Sequence, residues 1–197
     1  MDFKDIKRLR ELTGVGITDA KKALVESKGD FDKALQAMRK KGLTKAEKSS
    51  EREARAGIIG NYIHDSRIGV LVEVNCETDF VARNEIFTDL VKNLAMHIAA
   101  SNPQYVTNED VPKEEMESVK KELMEKAKLE KKPADMIEKI VDGQVKKYFQ
   151  EKILLDQPYV KNPDQDIATY IKENIAKLGE NIVVKRFSRM ALGEVTN

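Results

Sequence analysis

Residues 73–84 read Glu-Val-Asn-Cys-Glu-Thr-Asp-Phe-Val-Ala-Arg-Asn. The stretch starts on the end of an apolar, β-branched run, Ile68 to Val74, which predicts a strand. It crosses a polar corner, Asn75 to Asp79, and enters a helical pattern with Asp79 and Phe80 side by side. Strand-to-helix corners usually lie at the surface, so a large aromatic ring is out of place there. One reading makes Phe80 the first core-facing residue of the helix. Phe80, Phe87 and Leu94 are seven apart and would share a face if the helix were continuous. The other reading offers the ring to a partner.

Upstream of the corner, residues 57–75 predict a hairpin. Gly57 to His64 and Ile68 to Asn75 are the strands, and Asp65-Ser66-Arg67 has turn chemistry. Val70, Val72 and Val74 alternate toward one face, with Leu71 and Glu73 on the other. Residues 43–56 are rich in Lys, Glu, Arg, Ser and Ala and hold one large apolar side chain, Leu43; they read as a charged linker. Before it, residues 1–42 predict three short helices. Phe3 to Leu12 presents Ile6 and Leu9. Two glycines, Gly14 and Gly16, are placed to take positive φ in the next turn. Thr18 is the expected N-cap of the second helix, and Asp30 that of the third, which Gly42 ends. Such a module is at the limit of independent stability.

Downstream, Asn84 to Ala100 predicts an amphipathic helix with Phe87, Leu90, Val91, Leu94, Ala95 and Ile98 as its stripe. His97 falls off the main stripe, which leaves it solvated or at an interface. After a loop, two charged helices split at Lys132-Pro133 predict an antiparallel helical hairpin over about residues 112–150. Residues 150–165 read as a long turn. A helix with Ile167, Ile171, Ile175 and Leu178 inward ends at Gly179, and a final strand, Ile182 to Leu192, is expected to pair with the first hairpin. Its Ile182, Val183, Val184 and Phe187 put apolar groups on both faces, which predicts a sheet face left over for association. The fold class is α+β: a three-helix module over 1–42, a linker over 43–56, and a sheet-and-helix core over 57–197 carrying the helical hairpin.

Composition narrows the function. There are 35 basic and 34 acidic side chains, a net of +1, which gives no reason to expect nucleic acid or a membrane as the ligand. Cys76 is the single cysteine, so an intramolecular disulfide cannot form, as suits a reducing cytoplasm. No apolar run predicts a signal peptide or a membrane span. Metal-ligand clusters, a phosphate-cradling glycine loop and a nucleophile with a base are not found, so neither an enzyme nor a cofactor is expected.

Two stretches carry a resemblance. Glu73 to Val81 and, near the N-terminus, Leu9-Arg10, Thr13-Gly14, Gly16-Ile17, Asp19 and Lys21-Lys22-Ala23-Leu24 resemble the two signatures of bacterial translation elongation factor Ts. That family supplies the nucleotide-exchange partner of elongation factor Tu. Ala95-Met96-His97-Ile98-Ala99-Ala100-Ser101 and Gly179-Glu180-Asn181-Ile182-Val183-Val184 extend the resemblance over essentially the whole chain, in the short form of the family. It implies that the N-terminal module is ubiquitin-associated-like. Lys7, Arg10, Ile17 and Thr18 would contact the partner's nucleotide-binding domain. Thr78, Asp79, Phe80 and Val81 would enter that domain and dislodge its magnesium ion, which turns Phe80 into an interface residue. His97 is a further contact candidate. The short form implies a homodimer and a cytoplasmic protein acting on the GDP complex of elongation factor Tu, with no cofactor of its own. The competing class is a non-catalytic helical adaptor that binds proteins through the N-terminal module.

Overall fold

The computed structural model describes residues 3–130 and 133–194. The chain is α+β, as expected, and divides into two compact units. One comprises the described residues of Met1–Ala99 and Ala168–Asn197, the other Ala100–Ile167.

In the first unit, α1 (Phe3–Thr13), α2 (Ile17–Glu26) and α3 (Phe31–Ser49) pack around Ile6, Leu9, Ala20, Ala23, Leu24, Ala34 and Met38. Asp30 caps α3, accepting from the Lys33 N–H at 3.0 Å. Thr18 does not cap α2. The helix begins two residues earlier than that cap would place it, at Ile17, behind an extended Gly16 with φ −63°, so only Gly14 of the two glycines is left-handed. Nor does Gly42 end α3. The helix continues to Ser49, burying Ala46 and Ser49, and Glu47 and Arg39 pair with Lys172 and Glu173 of α8 (Ile167–Leu178). A glycine has no signal strong enough to stop a helix whose next turns gain tertiary contacts.

Gly14 fixes how closely the three helices approach α8. Its φ is +68°, and a Cβ there would lie 2.6 Å from the Lys177 Cα. Gly14→Ala therefore combines left-handed strain with a backbone clash, a loss of at least about 2 kcal/mol. The expected result is a melting temperature lower by about 5 °C or more. An unchanged melting temperature would contradict this packing.

The sheet has order β1-β2-β5, all antiparallel, from β1 (Ala56–His64), β2 (Ile68–Cys76) and β5 (Ile182–Ala191). The turn residues Asp65 and Ser66 are both left-handed, and the Arg67 N–H donates to the His64 carbonyl at 2.9 Å. Val70, Val72 and Val74 are buried on one face, as their alternation predicts, and Cys76 continues that face. Helix α5 (Glu85–Ser101) packs on that face. At Gly60 of β1 the approach leaves no room for a side chain, since a Cβ would lie 2.3 Å from Val91 Cγ1. Phe187 pairs with Val72 and so shares the inner face. The leftover face is instead the outer one, where Ile59, Ile63, Leu71 and Met190 are all more than half exposed. In the register they sit on rungs Ile59–Glu73–Arg186, Asn61–Leu71–Ser188 and Ile63–Gly69–Met190.

The second unit contains α6 (Lys113–Leu129) and α7 (Ala134–Gln150), an antiparallel pair joined across their middle by Lys120 and Asp142 at 2.8 Å. The residues after α7, read as a turn, contain a short antiparallel pair, β3 (Pro158–Tyr159) and β4 (Asn162–Asp166). Asn-Pro and Gln-Pro obscured it, because proline argues against a strand interior. The base of the helix pair is held by a polar cluster. The Tyr105 hydroxyl donates to Glu115, the Lys152 ammonium lies 3.0 Å from the other Glu115 oxygen, and that ammonium stands 4.4 Å over the Tyr148 ring. The hydrogen bonds from Tyr105 and then Lys152 hold the Glu115 carboxyl below its ordinary value of 4.5. Such a group stabilises the fold above its unfolded pKa and ceases to as pH falls through the lowered folded one. Glu115→Gln should thus be less stable than the parent at neutral pH, and the difference should shrink as pH falls below about 4.5. Acid and urea titration of both proteins checks this, and a gap independent of pH would count against the cluster.

Candidate partner-binding corner

Strand β2 ends in the interior. Cys76 is fully buried, and its thiol donates to the Thr78 carbonyl at 3.1 Å. Burial, with the nearby Glu180 charge, pushes that thiol up, so it is an unreactive core group. The chain then turns outward. Thr78 is extended, φ −127° and ψ 155°, and its Oγ1 accepts from the Val81 N–H at 3.3 Å, which caps the four-residue helix α4 (Asp79–Ala82). Val81 and Ala82 point in and are buried. Asp79 and Phe80 point out, and the Phe80 ring is 79% exposed.

That exposure follows from a break in the helix. Arg83 and Asn84 interrupt it, and α5 restarts at Glu85 with Asn84 Oδ1 accepting from the Ile86 N–H at 2.9 Å. Phe87 and Leu94 remain fully buried, but the break rotates Phe80 off their line. The core reading of Phe80 rested on an unbroken helix and does not hold. Asp79 pairs with Arg83 at 3.0 Å, with both side chains about four-fifths exposed. An exposed pair of this kind is weak and opens readily.

Of the four corner residues, Thr78, Asp79 and Phe80 are therefore accessible, and Val81 anchors them from below. Lys7 and Arg10 are exposed on α1, where Lys7 lies 3.9 Å from Glu11. Ile17 is half exposed at the start of α2, beside an exposed Thr18. These four stand on the helical module rather than on the corner. His97 is fully buried in α5, so it is neither solvated nor exposed to a partner, and it leaves the set of contact candidates: the stripe is wider than its spacing suggested. Sequence reasoning missed Glu180. Its carboxylate accepts from both the Thr78 N–H, at 3.0 Å, and the Thr78 hydroxyl, at 2.7 Å, across 102 residues of sequence. No local pattern predicts such a contact. Among the described residues, no group of three or more His, Cys, Asp or Glu side chains is placed to hold a metal ion, and no helix is long and apolar enough to cross a membrane.

The corner thus presents a capped, outward-facing Asp-Phe pair beside the sheet, an exposed surface for binding. A family model described as Elongation factor TS matches residues 40–194. The chain is 52% identical over 189 residues to the elongation factor Ts of Thermodesulfovibrio yellowstonii, covering 96% of this chain and 94% of that protein. It is 52% identical over 191 residues to that of Moorella thermoacetica, with 96% and 94% covered. For the protein of a Geobacter species the identity is 53% over 190 residues, with 96% and 88% covered.

Proposed function

Since the chain belongs to the elongation factor Ts family and so serves translation elongation, we propose that it is the guanine-nucleotide exchange factor of elongation factor Tu. It binds the GDP complex, displaces the magnesium ion there and promotes GDP release so that GTP can enter. The observation that carries this reading is the Phe80 ring, held outward beside Asp79 at a capped corner. Such a ring is a binding group waiting for a pocket, and burying a Phe is worth roughly 1.5–3 kcal/mol. Phe80 wedges into the partner's nucleotide-binding domain, and Asp79, freed from Arg83, acts on the ion's surroundings. Lys7, Arg10, Ile17 and Thr18 of a ubiquitin-associated-like module over residues 1–42 make a second contact. The reaction needs no bond chemistry from this chain. Whatever factor weakens GDP binding when this protein is bound must weaken this protein's binding by the same factor when GDP is bound.

The working form in this proposal is a cytoplasmic homodimer. The apolar outer face of the sheet supports it, because a patch of this kind marks an association surface. The assay for exchange is release of labelled GDP from elongation factor Tu. Substoichiometric amounts of this protein should accelerate release with turnover. No acceleration would remove the proposal and favour an adaptor role for the helical module.

A further inference from the structure

We propose that the dipeptide Glu180-Asn181 is a clasp that positions the exchange corner and ties it to the helical module. The inference rests on the exchange-factor reading. A four-residue helix is far too short to hold itself, since helix nucleation is unfavourable. Helix α4 must therefore be ordered from outside, and Glu180 supplies the tie by accepting both Thr78 donors. The same Thr78 hydroxyl is then fixed as acceptor for the Val81 N–H, so the cap and the clasp form one chain of hydrogen bonds. The geometry is available because α8 ends at Gly179, whose φ of +79° turns the chain back toward the corner.

Asn181 does the matching work on the other side. It is buried, and its side-chain amide donates to the carbonyls of Ser50, at 3.2 Å, and Arg52, at 2.6 Å, on the segment that leaves α3. Its own N–H donates to Glu77 at 2.6 Å, and Glu77 also meets the Arg52 guanidinium at 3.5 Å. One dipeptide thus grips the corner with its first residue and the end of the helical module with its second. The two surfaces proposed to bind the partner are presented in a fixed relation, which removes an ordering cost from binding.

The test uses the full chain with Glu180→Ala, Phe80→Ala and the double substitution. Two readouts are needed: stimulated GDP release from elongation factor Tu, and amide hydrogen exchange of the free protein. Glu180→Ala should lose about fivefold or more in release rate. In the Phe80→Ala background it should cost less than about twofold further, because a residue that acts by placing Phe80 has nothing left to place. In the free protein the Thr78 and Val81 amides should exchange about tenfold faster or more, with the Val72 amide of β2 unchanged. Wild-type release by Glu180→Ala, losses that multiply in the double variant, or equal acceleration at Val72 would each overturn the clasp. If the parent protein itself fails to stimulate release, the exchange function falls, and unchanged Thr78 and Val81 amides would still overturn the clasp on their own.

Discussion

Phe80→Ala should lower the rate of GDP release at least about tenfold, a hot-spot loss of some 1.4 kcal/mol or more, while leaving the melting temperature where it was. The two halves of that result are argued from one observation. A Phe buried in a core costs about 3–5 kcal/mol when truncated. The Phe80 ring is 79% exposed, and substitutions at exposed positions ordinarily stay within about 0.5 kcal/mol. The ring therefore contributes almost nothing to the fold of the free chain. What it gains on entering a partner is lost in full by the alanine variant. Release assays and thermal melts on the same samples check both halves. A variant that melts several degrees lower would return Phe80 to the core, and one that melts normally but exchanges normally would take the wedge out of the proposed mechanism.

The path from sequence to that ring was partly legible. The alternation of Val70, Val72 and Val74 in the strand expected over Ile68–Asn75 and the stripe from Phe87 to Ile98 both match the structure, because each element turns one face into the core and its sequence must show it. The outward turn of Phe80 was not legible from spacing. It depends on a break at Arg83-Asn84, and Asn within a helical pattern is a weak signal that tertiary packing decides. His97 shows the opposite failure. A polar type at the margin of a stripe reads as solvated or interfacial, yet the helix is covered widely enough to bury it. Glu180 was beyond reach altogether, since a carboxylate that ties two segments 102 residues apart carries no period and no local motif. The resemblance to the family pointed to the corner, and the structure supplies the cause: a cap, a break and a distant carboxylate.

The outer face of the sheet gives the second large effect. Leu71→Glu should convert a dimer into a monomer with little loss of fold. Phe187 of β5 is not part of this face: it pairs with Val72 and points with it toward the inner side, so a charge there would act on the chain's own packing. The register places Leu71 at the centre of the outer face, flanked across the strands by Asn61 and Ser188, with Ile59, Ile63 and Met190 around it. A groove on this face is lined by Ile63, Leu71, Met190 and Leu192. Two copies related by a two-fold axis would lay these faces together as two packed sheets, about 10 Å apart. A glutamate at position 71 would then meet its own copy near the axis, where two carboxylates lose water and repel each other. In the single chain Leu71 is 55% exposed, so the same glutamate keeps much of its hydration. Cys76 is buried, and the proposed contact needs no covalent link, so the dimer should persist in reductant. Light scattering at micromolar concentration reads the outcome directly: about twice 22.3 kDa for the parent and 22.3 kDa for Leu71→Glu. A parent protein that runs at the single-chain mass would end the dimer proposal. A Leu71→Glu variant that stays at twice that mass would move the contact to another surface.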